Sequence, residues 1–91
     1  MKIDLKELEE KLNGLKGHDF NRAEREERFT GNVTPDLTFS KSYQARLASF
    51  ALGMNVHDIF DLPLKEYVQV TGKVSNFLFS GSETEETPQE Q

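Results

Sequence analysis

Ninety-one residues allow one small domain, and a composition of 35% apolar and 30% charged residues lies toward the polar end of globular proteins. A formal net charge of −5 leaves no basic excess for a phosphate backbone. The absence of cysteine excludes a disulfide framework and a thiolate metal site, and no apolar run approaches membrane-spanning length. Nine aromatic residues, seven Phe and two Tyr, still argue for a folded core.

The charge is uneven. Residues 82–91 hold four glutamates and no cation, so the rest of the chain sums to about −1. The chain divides on this basis into an N-terminal helix and hinge (1–16), a helical core domain (17–80) and a disordered acidic tail (81–91). The expected fold class is all-α: a small bundle of about four helices. The opening MKIDLKELEEKL is too charged for a secretory leader.

Asp4, with Glu7 three residues on, has the spacing of a helix-capping pair, and Leu5, Leu8, Leu12 and Leu15 recur at helical intervals before Gly14 stops the helix. So short a helix is marginal in water and must dock. It can pack on its own domain, or Leu5, Leu8 and Leu12 can mediate self-association. A second helix is expected from His18 or Asp19 to about Phe29. Arg22–Glu26 and Glu24–Arg28 at i,i+4 support it, and Phe20, Ala23 and Phe29 form a narrow apolar edge. Residues 32–39 read as a loop whose Val33, Leu37 and Phe39 tuck onto the core; Pro35 holds Thr34 extended.

Ser40 caps a third helix that runs to Leu52, with Gly53 at its left-handed terminus. Asn55 can cap a short element over Val56–Phe60. Pro63 suits the opening of a last helix, about 63–79, with Leu64, Tyr67, Val68, Thr71, Val74 and Leu78 along it. Its β-branched residues make a strand over Tyr67–Val70 the principal alternative. Gly72 costs about 1 kcal/mol against alanine inside a helix, so a crossing helix or a partner is expected against it.

No catalytic constellation is present. His18 and His57 each precede an Asp near a helix start, where the backbone dipole favours the carboxylate, and no nucleophile accompanies them. No phosphate-cradling glycine loop or calcium-loop spacing occurs, and no cofactor is implied. Residues 44–62 partly match a helix-turn-helix, with Gly53 at the turn and Ile59 six residues on. The element that would read bases presents Asp58 and Asp61 and is cut by Pro63. Contacts with other proteins are the remaining role. Phe77 and Phe79 lie off the main stripe and are the better candidates for partner binding, followed by Phe39, Tyr43 and Phe50, aromatics of a type more often buried in a core.

Several segments follow one another along the chain: Gly17-His18-Asp19-Phe20, Arg22-Ala23-Glu24-Arg25-Glu26, Phe39-Ser40-Lys41 with Tyr43, and Ala51-Leu52-Gly53-Met54. They are followed by Asp58-Ile59-Phe60-Asp61-Leu62-Pro63, Val70-Thr71 with Val74, and Asn76-Phe77-Leu78. Over about residues 15–79 the series resembles the small tail assembly chaperones of long-tailed bacteriophages and prophages, in the branch of Gram-positive hosts. The resemblance implies a non-enzymatic protein of the host bacterial cytoplasm that binds the tape-measure and tail-tube proteins and is absent from the mature virion. It implies neither nucleic-acid nor membrane binding, and a homo-oligomer is compatible with it. The alternatives are a helix-turn-helix DNA-binding regulator and a structural tail or adaptor subunit.

Overall fold

In the computed structural model, which describes residues 3–83 (side chains as far as 80), Asp4 opens the first helix as its spacing predicts. Its Oδ1 accepts from the backbone N–H of Lys6 at 3.0 Å and of Glu7 at 3.3 Å, satisfying two donors that a helix start leaves open. Helix α1 (Leu5–Leu12) packs on the third and last helices and buries Leu8 and Leu12 completely. The stripe therefore docks within its own chain. Self-association through Leu8 and Leu12 is corrected accordingly, because neither side chain has surface left to offer; Leu5 is half-buried beside Ile3 and Val70.

Helix α2 (Gly17–Phe29) starts where the backbone N–H of Lys16 donates to Asp19 Oδ2 at 3.0 Å. The i,i+4 pairs read from the sequence give way to longer reaches. Arg22 lays its guanidinium over the Phe50 ring, 4.1 Å from the centroid. Arg28 donates to the carbonyl oxygens of Asn32, Thr34 and Pro35 at 3.1, 2.6 and 3.2 Å, and so folds the following loop back on the helix end. Phe29 and Val33, expected against the core, are 93% and 86% exposed. The loop is held by hydrogen bonds, and only Leu37 of its apolar residues is buried.

Leu37 begins a 3-10 turn (Leu37–Phe39), whose preceding Asp36 accepts from Thr38 N and Oγ1. Those bonds hold the Asp36 carboxyl below its usual range. Helix α3 (Lys41–Leu52) is the centre of the molecule and touches α1, α2, the 3-10 turn and both helices that follow it. Ser40 Oγ caps it by accepting from Tyr43 N, and Gly53 ends it at φ +67°, a left-handed backbone that glycine adopts without steric cost. Tyr43 is fully buried. Its hydroxyl donates to the Phe20 carbonyl at 3.1 Å, its ring meets Phe20 edge-on at 5.5 Å, and burial raises its phenol well above the ordinary value.

Helix α4 (Val56–Phe60) is a single turn and a half, capped by Asn55 through His57 N and anchored by buried Ile59. Helix α5 (Leu64–Glu83) begins after Pro63 and runs four residues past the expected end at 79. Ser80, Gly81 and Ser82 weaken a helix without breaking it, and no proline intervenes before Pro88. The tail beyond residue 83 lies outside the described residues. No strand occurs among the described residues; over Tyr67–Val70 the chain is helical because Val70, Thr71 and Val74 bury together at helical spacing against α1 and α3. The fold is thus an all-α bundle of four longer helices with α4 as a short fifth.

The crossing helix expected against Gly72 is absent among the described residues: a Cβ placed there meets no atom within 4 Å. Within the chain, Gly72 therefore bears the entropy cost of a helical glycine with no packing return. Gly72→Ala should stabilise the chain by about 0.5–1 kcal/mol, read as a rise in the urea midpoint at unchanged slope. A fall in the midpoint would mean that an intramolecular contact requires glycine there.

Candidate partner-binding surface

The strongest electrostatic feature is internal. Glu27, 1% exposed, accepts from Asn32 Nδ2 at 2.9 Å, Ser42 Oγ at 3.1 Å and Arg46 Nε at 2.7 Å. Arg46 also donates to Glu26 at 3.1 Å, and Asn32 to Ser40 Oγ at 3.1 Å. Burial pushes the Glu27 carboxyl up, but the bonds from Asn32, Arg46 and Ser42 outweigh it and hold the group below its ordinary value. The carboxylate's charge is matched and its lone pairs are occupied by these partners. This network fastens α2 and the loop to α3 as a structural joint.

The surface offers a groove where the α1–α2 hinge meets the C-terminal half of α5. Leu12, Leu15, Phe20, Leu47, Phe77 and Leu78 line it, with Asn13, Lys16 and Gly17 at its edge, around a volume of about 300 Å³. That is the small end of the range for ligand pockets, about 300–1,000 Å³. Its apolar lining, without a cluster of polar groups, suits large side chains of another polypeptide.

The candidate aromatics separate into distinct places. Phe77 lies in the groove. Phe39, 67% exposed, stacks on Phe79 with ring centroids 5.1 Å apart and planes 24° from parallel, forming an aromatic ridge at the far end of α5. Phe50 is half-buried beneath Arg22. Tyr43 is removed from the partner-binding set, since it is closed inside the core by Phe20. Leu15, Phe20, Leu47 and Leu78 were not singled out as site residues, and Leu12 only for self-association. They come from α1, the hinge after it, α2, α3 and α5, and no local pattern brings them together. Exposed Leu64 and Val68 were visible as one face of α5, but nothing in their spacing marked that face as outward.

The segment compared with a helix-turn-helix has a left-handed turn at Gly53, but its second helix is the five-residue α4, with Asp58 and Asp61 exposed and the His57 ring edge-on to Phe60 at 5.7 Å. Such a helix offers carboxylates where base readers offer Arg, Lys, Asn or Gln. Among the described residues, no helix is long and apolar enough to cross a membrane. Compared with protein-family models, with curated proteins and with solved structures, the chain has no match in any of the three.

Proposed function

We propose that the chain is a tail assembly chaperone of a long-tailed bacteriophage or prophage: a binding protein that holds an apolar helix of the tape-measure protein during tail morphogenesis and recruits tail-tube subunits to it. The observation that carries this reading is the apolar groove opened by Leu15, Phe20, Phe77 and Leu78, with buried Leu12 and Leu47 beneath it. A groove of that lining shields one face of an amphipathic helix, the helix-in-groove mode of recognition. The ordered residue series from Gly17 to Leu78 supplies the specific partner. In this role the protein works in the host bacterial cytoplasm and is shed before the virion is complete.

Co-expression with a tape-measure fragment should raise the soluble yield of that fragment several-fold. Phe77→Glu, in the lining of the groove, should remove the gain while far-UV circular dichroism shows the helices intact, and Leu15→Ser, also in the lining, should reduce it. An unchanged yield with the unaltered chain would sink the proposal. Recovery of the chain at stoichiometric amounts from purified particles would instead favour a structural tail or adaptor subunit.

A further inference from the structure

Neither the core nor the groove uses the outer flank of α5. Leu64, Val68, Gly72, Ser75 and Phe79 succeed one another at intervals of three and four residues and so share one stripe of that helix. Leu64 is 77% exposed and Val68 52%, and the space above Gly72 is open. Phe39, stacked on Phe79, widens the far end. At the near end, Met54, Leu62 and Pro63 line a recess of about 420 Å³ together with the carboxylates of Asp58 and Asp61. Both carboxylates are exposed, and neither has an ion-pair partner among the described residues. From Leu64 to Phe79 the stripe is about 22 Å long, or roughly four helical turns.

We propose that this flank docks an amphipathic helix of another polypeptide, apolar along one stripe and carrying arginine or lysine at the end that lies over Asp58 and Asp61. Charge selects this occupant. A second copy laid on this flank brings the same stripe, which has no cation at Leu64, Val68, Gly72, Ser75 or Phe79 to set against Asp58 and Asp61. Residues 84–91 of the chain itself hold only Pro88 as an apolar side chain and add Glu85, Glu86 and Glu90. A cationic helix end instead neutralises both aspartates, and the positive N-terminal end of a helix dipole adds to the attraction. Gly72, midway along the stripe, lets the incoming backbone approach closely. The surface is separate from the groove around Phe77, and the inference stands without the phage assignment.

The test uses the full chain, isotopically labelled, and a synthetic helical peptide with a leucine stripe and two arginines in its first turn. A counterpart peptide carries glutamates in place of the arginines. The arginine peptide should shift the amide resonances of Asp58, Asp61, Leu64, Val68 and Gly72. It should bind about tenfold more tightly than its counterpart, a margin that shrinks as salt screens the charges. The double variant Asp58→Asn with Asp61→Asn should lose most of that margin without a change in helix content. Gly72→Leu, which fills open space on a helix, should raise thermal stability yet weaken binding about tenfold, so lost binding is not confused with lost fold. Equal affinity for the two peptides, or shifts confined to Leu12, Phe20 and Phe77, overturns the proposal. So does undiminished binding by Gly72→Leu, or a dimer in sedimentation that Leu64→Glu converts to monomer.

Discussion

Glu27→Ala should be the most damaging single substitution in the molecule, costing about 3–5 kcal/mol because it strands Arg46 in a site built for a carboxylate. Arg46 is 12% exposed at its side chain and would keep only Glu26. A domain of this size is stable by about 5–14 kcal/mol in all, so the variant should melt at a much lower temperature or fail to fold. Replacing Glu27 and Arg46 together with apolar residues of similar volume should cost far less than the two single losses combined, since no charge is then left behind. Acid should reveal the same joint. Hydrogen bonds keep the folded Glu27 carboxyl below the 4.5 of a free glutamate, so as pH falls the unfolded chain takes up its proton first. The stabilisation is complete above that value and drains away as pH drops through the folded one. Urea midpoints measured from neutral pH downward should therefore show an acid-side slope that is flatter in Glu27→Gln; identical slopes would show that other carboxylates govern the acid transition.

Leu8→Ala and Leu12→Ala should each cost about 2–5 kcal/mol, the range for truncating a buried leucine. Both are closed in by α3 and α5, and collapse around the vacancy is limited where three helices meet. The loss should appear in denaturant midpoints and be independent of protein concentration. A leucine stripe working between subunits would behave otherwise: the midpoint would rise with concentration in the unaltered chain, and the alanine variants would change subunit mass before they changed helix content. Sedimentation and urea titration on the same samples separate these outcomes.

The element boundaries were legible because single residues set them by local chemistry. Asp4, Ser40 and Asn55 supply side-chain acceptors to helix starts, Gly53 the left-handed stop, and Pro63 the gap before α5. Burial was legible where the apolar period was unbroken, as at Leu8, Leu12, Thr71 and Val74. It was misread where the chain is irregular. Phe29, Val33 and Phe39 are apolar residues at a helix end and in a loop, and periodicity says nothing about which way such residues face. The charged joint was misread for a related reason. Arg22 and Arg28 have partners at helical spacing, but the bonds that matter run from α2 to α3 and to the loop, between residues up to twenty positions apart. The groove was the least legible feature, for only Phe77 of its lining had stood out as a partner-binding residue, and Leu12 as one for self-association. It exists because α1 and α5, at opposite ends of the sequence, close over α3 from two sides.

That closure bears on how the chain is made. Protein synthesis releases α1 first, and its two deep contacts are α3, midway along the sequence, and α5, at the end. Until the ribosome has let go of the last helix, Leu8 and Leu12 have no complete seat. Until α5 is made, then, the nascent chain carries a greasy α1 awaiting residues not yet polymerised, and the stretch of α5 from Glu66 to Leu78 acts as the latch that retires it from view.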